Sequence, residues 1–139
     1  MRLKSAVRSI LLLVTMGGCA AGTIGSVQAP GSVTLKSGTS AVISGTNWTI
    51  RFDSVVSDSR CPLGVYCIQA GEARLALQMT NPLVDPIPGE GSAFTLGSTP
   101  VARYGFRFTA TEITPVKRVG KEIDRRDYRA TIKIEPLTL

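Results

Sequence analysis

The sequence predicts an all-β domain, an antiparallel β-sandwich of about six to eight short strands. Three observations point there. Apolar and polar residues alternate with period two in several segments. Gly, Pro and Asn break the chain at short intervals, as turns between strands require. No stretch beyond the N-terminal leader carries a helical repeat. One apolar face per strand suits two packed sheets, and a small β-barrel is the alternative.

The elements follow in order. Short strands are expected over residues 32–36 and 39–43, parted by the turn pair Ser37-Gly38. Trp48, Ile50 and Phe52 alternate with Thr49, Arg51 and Asp53, and Leu75, Leu77 and Met79 alternate with Arg74, Ala76 and Gln78. Each set reads as a half-buried strand. Residues 92–96 form a weaker strand after the Pro- and Gly-rich stretch 81–91. Tyr104, Phe106, Phe108 and Ala110 alternate with Gly105, Arg107, Thr109 and Thr111. The aromatic face of that segment reads as core rather than as a ligand stripe. Tyr128, Ala130, Ile132 and Ile134 make the closing strand. Before it, residues 116–127 gather Lys117, Arg118, Lys121, Arg125 and Arg126 against Glu122, Asp124 and Asp127. We read this as an exposed hairpin loop. Its cations could meet anionic head groups or an acidic partner, and a solvated loop with internal ion pairs is the plainer alternative.

Residues 1–18 stand apart. Arg2, Lys4 and Arg8 supply a charged start, Ile10 to Val14 and Met16 a brief apolar run, and Gly17-Gly18 a small-residue exit before Cys19. The apolar run is short for a spanning helix and has the layout of a cleaved signal. The segment resembles a bacterial lipoprotein signal, with Met16 where Leu is usual and Gly17 where Ala or Ser is common. That resemblance implies lipidation of Cys19, palmitate included, and a membrane anchor. Ala20 after the cysteine favours the outer membrane by similarity to the sorting rules of Gram-negative bacteria. An ordinary secretory signal cut nearby, at Ala20-Ala21-Gly22 or after Ala29, is the alternative. Residues 19–31 are small, polar and Gly-rich and read as a flexible tether. The single β domain is then residues 32–139, enough chain for one hydrophobic core.

The whole chain carries a formal charge of +6, which falls to +3 without the leader because Arg2, Lys4 and Arg8 leave with it and no carboxylate does. The basic balance is therefore partly a targeting feature. No pattern of aromatic and basic residues marks a nucleic-acid module. Cys61 and Cys67 remain as an even pair, and in an oxidising compartment a disulfide is expected. Pro62 and Gly64 can turn the ring between them. A metal site is the competing reading, but the chain has no His, and two Cys alone do not make the usual zinc set. Five residues separate the cysteines, where thioredoxin-type chemistry has two. No cofactor and no metal are expected.

The distinctive motif is Asp58-Ser59-Arg60-Cys61-Pro62, followed by Cys67-Ile68-Gln69-Ala70-Gly71. It resembles a group of bacterial exported proteins and lipoproteins, mostly of unassigned function, with the pattern Asp-Ser-Arg-Cys-Pro, a few variable residues, then Cys-(Val/Ile)-Trp-Ala-Gly and a strand. Gln69 stands here where that group has Trp. Close similarity covers about fourteen residues, and the resemblance implies no activity. Physically, Asp58 and Ser59 can accept backbone amides and hold a turn. Arg60 can pair with Asp58 or bond loop carbonyls. Ala70 and Gly71 allow close backbone approach where the next strand begins. The segment reads either as a structural corner or as a binding loop. In the second case Asp58, Arg60, Pro62, Leu63, Val65 and Tyr66 are the candidate residues, with Leu63, Val65 and Tyr66 forming an apolar tip preorganised by the disulfide.

An enzyme is not expected. Without His, Ser-His-Asp and Cys-His sites are excluded. Asp53, Asp58 and Glu72 flank the loop and could in principle pair for glycoside hydrolysis. No phosphate loop or dinucleotide fingerprint is present. Three functional readings remain: a lipid-anchored binding or structural module of the cell envelope, an inhibitor-like protein that presents loop 61–67 to an envelope enzyme, and a carboxylate-based hydrolase. The expected partners are the membrane, through lipid on Cys19, and an envelope protein or anionic head group.

Overall fold

A computed structural model describes residues 25–84 and 92–138. Cys19 and the expected leader lie outside the described residues. The alternating segments form two facing sheets. The strands among the described residues are β1 (Gly25–Val27), β2 (Gly31–Lys36), β3 (Thr39–Ile43), β4 (Thr49–Asp58), β5 (Ala73–Thr80), β6 (Ser92–Leu96), β7 (Val101–Arg103), β8 (Phe106–Thr114) and β9 (Arg129–Pro136). One sheet runs β1-β3-β4-β5-β6 and the other β2-β9-β8-β7. The two sheets stay separate, so the architecture is a sandwich and not a closed barrel.

Alternation explains the core. Ala73, Leu75, Leu77 and Met79 of β5 are buried, as are Ala130, Ile132 and Ile134 of β9 and the ring of Tyr128 just before it. Phe94 of β6 meets Phe108 of β8 across the gap between sheets, with ring centroids 5.3 Å apart. β4 does not keep a single phase. Ile50 and Phe52 point inward, the register shift against β5 between Phe52 and Ser54 turns Val55 inward, and the second, between Val55 and Ser57, leaves Val56 exposed. A bulge inserts one residue and flips every side chain beyond it. β8 has a similar shift between Ala110 and Glu112.

Two expectations are corrected. The flexible tether expected over residues 19–31 does not describe Gly25–Val27 or Gly31, which are strand residues. Residues Gly25, Ser26 and Val27 pair in parallel with Ala41, Val42 and Ile43, Val27 is buried, and Gly31 already opens β2. Among the named strands of the described residues this pair is parallel and the others are antiparallel. The reason is that β3 would otherwise offer an unpaired edge, and backbone groups can satisfy it with almost no side-chain signal. The strand expected to start at Tyr104 begins at Phe106 instead, because Tyr104 and Gly105 form the β7–β8 turn, both with positive φ. Tyr104 packs on Trp48, with ring centroids 4.7 Å apart, and closes that end of the core.

The topology sorts the connections to two ends. The β4–β5 connection (59–72), the β8–β9 connection (115–128), the β2–β3 turn and the β6–β7 connection gather at one end, and Trp48, Tyr104 and the end of β9 lie at the other. β1 runs parallel to β3, and so away from the end that carries Asp58. Its register sets Gly25 level with Ala41 and so with Ile50 near the start of β4, toward the Trp48 end of the sheet rather than at the 59–72 loop.

Candidate functional site

The 59–72 loop starts where β4 ends. Its base is tied like a continued hairpin: Ser59 N donates to the Glu72 carbonyl at 2.9 Å, Glu72 N donates to Ser59 Oγ at 3.0 Å, and Cys61 N donates to the Ala70 carbonyl at 3.0 Å. Gly71 makes this closure possible. It has a φ of 65°, and a Cβ there would run into the Ser59 carbonyl. Cys61 and Cys67 form a disulfide, with Cα atoms 6.0 Å apart. Farther out, Leu63 N donates to the Lys117 carbonyl at 2.9 Å, which seats the ring on the β8–β9 connection.

A polar clamp holds this arrangement. Arg60 Nε and Nη2 donate to the two Asp58 carboxylate oxygens at 2.9 and 2.7 Å, a bidentate pair. The Arg60 amide also donates to Asp58 Oδ1, and the Tyr128 hydroxyl donates to Asp58 Oδ2 at 2.9 Å. Arg60 then reaches the second sheet: Nη1 donates to the Ile113 carbonyl at 2.5 Å and Nη2 to the Pro115 carbonyl at 3.0 Å. Lys117 Nζ donates to the Asp58 carbonyl at 2.8 Å. The side chains of Asp58 and Arg60 are only 8% and 20% exposed. Burial works to raise the Asp58 pKa, but the hydrogen bonds from Arg60 and Tyr128, with the Arg60 charge, hold it down at about 2. The same pair raises the Arg60 guanidinium further, and burial together with Asp58 pushes the Tyr128 hydroxyl up. Glu72 is likewise held down at about 2, by the Ser98 amide, the Arg74 guanidinium and the Ser98 hydroxyl, which ties the β6–β7 connection to the loop base.

The expected site residues therefore divide. Asp58 and Arg60 face inward and build the corner. Pro62 is half-buried, while Leu63, Val65 and Tyr66 are exposed, Tyr66 at 97%. Ile68, just beyond the ring, is 99% exposed and was not singled out by its sequence context. Val116 and Val119 of the neighbouring connection are exposed as well. Tyr128 and Lys117 complete the clamp. Their places were hidden in a core alternation and in a charged run.

The three carboxylates considered for hydrolysis each have a cationic partner. Asp53 pairs with Arg51 at 2.7 Å, Asp58 with Arg60 and Glu72 with Arg74. With Asp58 and Glu72 both ionised at neutral pH, neither holds the proton that a general acid gives to a leaving group. Among the described residues, no group of three His, Cys, Asp or Glu side chains could hold a metal ion. No protein-family model, curated protein or solved structure matches this chain.

Proposed function

We propose that this chain is a lipid-anchored, non-enzymatic binding module of the bacterial cell envelope, and that its contact surface is the end of the sandwich carrying the disulfide loop. One observation carries the reading. Large apolar side chains stand almost fully in solvent, Tyr66 at 97% and Ile68 at 99%, on a loop that a disulfide, a bidentate ion pair and cross-sheet hydrogen bonds hold rigid. Exposed apolar groups on a mobile loop can be incidental. On a loop fastened this thoroughly they lower the ordering cost of binding. The anchor rests on the similarity of residues 1–19 to a lipoprotein signal, and the resemblance of the Asp58–Gly71 motif to exported bacterial proteins agrees with it. The ion pairing of Asp53, Asp58 and Glu72 favours this reading over the hydrolase.

The test is a photocrosslinking residue at position 66, compared with one at Arg107 on the outer face of β8, in cells that export the protein. The reading predicts envelope adducts from position 66 in clear excess over position 107. Equal yields from the two positions contradict it. Intact mass tests the anchor: the chain begins at an acylated Cys19, whereas an unmodified chain cut elsewhere removes the tether.

The second reading, an inhibitor that inserts Pro62–Tyr66 into an envelope enzyme, is favoured by the same rigid tip. It predicts that the position-66 adduct is one enzyme.

A further inference from the structure

We infer that the disulfide-loop end is a membrane-contact face, and that it recognises an anionic lipid surface. This rests on the reading above and names the partner of that same face. Leu63, Val65, Tyr66 and Ile68 are exposed on the loop, and Val116 and Val119 are exposed on the connection against which it is seated. Aliphatic side chains beside an aromatic with a polar tip are the composition that settles at the boundary of head groups and acyl chains.

Charge is arranged to match. Residues 61–71 contain no ionisable carboxylate. Arg118 pairs by backbone with Leu63 on one side and Lys121 on the other, which sets two cations at the border of the apolar tip. Both side chains are exposed, and neither makes an ion pair among the described residues. The 115–127 connection also carries Glu122, Asp124 and Asp127, but five cations stand against those three carboxylates, and Asp124 is occupied by Arg126. An apolar tip with a net basic border suits a bilayer bearing negative head groups better than it suits a protein groove, which would need shaped pockets for each side chain.

The experiment uses the full chain, purified from the cell envelope and mixed with vesicles, carrying Tyr66→Trp. Trp48 is the only native tryptophan and lies at the opposite end of the sandwich, so the unaltered protein is the reference. With phosphatidylglycerol brominated in its acyl chains, the fluorescence added by the new tryptophan falls about twofold or more, while Trp48 emission stays constant. Arg118→Glu with Lys121→Glu removes most of that quenching, because each cation near an anionic surface is worth roughly a fivefold preference. Emission that is the same with brominated and unbrominated lipid overturns the inference. Equal quenching by brominated phosphatidylcholine overturns the anionic recognition. No quenching, together with a position-66 adduct on an envelope protein or on a second copy of the chain, overturns the lipid assignment and leaves the binding-module reading standing. No quenching and no adduct overturns both.

Discussion

Asp58 shows how one side chain can join two sheets. Its carboxylate receives Arg60 and Tyr128, and Arg60 continues to the carbonyls of Ile113 and Pro115. Asp58→Asn leaves a largely buried guanidinium without its counter-charge. We expect a loss of about 3 kcal/mol in chemical unfolding, and an unchanged midpoint would contradict the clamp. The pH dependence has a definite sign. The folded pKa of Asp58, about 2, lies below its ordinary value of 3.8. Its contribution is therefore complete above about pH 4 and is lost as pH falls toward 2, a change of about 2 kcal/mol. Acid titration of stability should show a larger loss in the parent than in Asp58→Asn, where only the share of other lowered carboxylates such as Glu72 remains. The pairing of Asp58 with Arg60 was legible because the partners are two residues apart. Tyr128 was legible only as an apolar ring. Its hydroxyl meets Asp58 through a contact between the end of β4 and the start of β9, 70 residues apart in sequence, and alternation does not encode such a contact.

At the scale of elements, the 59–72 loop behaves as an extension of the β4–β5 hairpin. Gly71→Ala is expected to cost about 2 kcal/mol or more, since alanine suffers both the positive φ and the collision with the Ser59 carbonyl. A melting temperature equal to the parent's would show that the loop base can rearrange. Replacing both cysteines with serine should cost about 2 kcal/mol, as loop-closure entropy predicts for so short a ring. Stability insensitive to reduction would deny the disulfide that role. The strands themselves were readable where one face is apolar throughout, as in β5 and β9. Reading failed where side chains carry little information. β1 is three small residues held by backbone pairing, and β7 is three residues bordering a turn. The bulges of β4 changed which of Val55 and Val56 is buried, and nothing in a Val-Val pair announces that choice.

The whole molecule separates tasks between its ends. Trp48 and Tyr104 close one end of the core, while the other spends polar bonds to hold apolar groups in water. The sandwich followed from alternation, but the gathering of the two long connections at one end depends on strand order, which a single sequence does not carry. The charge run 116–127 was visible in the sequence. That it seats the disulfide ring through Leu63 and Lys117 was not. If the rigid tip is the binding element, stability and binding must be separable there. The deciding measurement pairs chemical unfolding of Leu63→Ser with Tyr66→Ser against photocrosslinking from position 68 in the same variant. The account predicts an unfolding midpoint within about 0.5 kcal/mol of the parent, since both side chains are exposed, and loss of the envelope adducts. Adduct yields equal to the parent's, from a variant that folds as well, would contradict it.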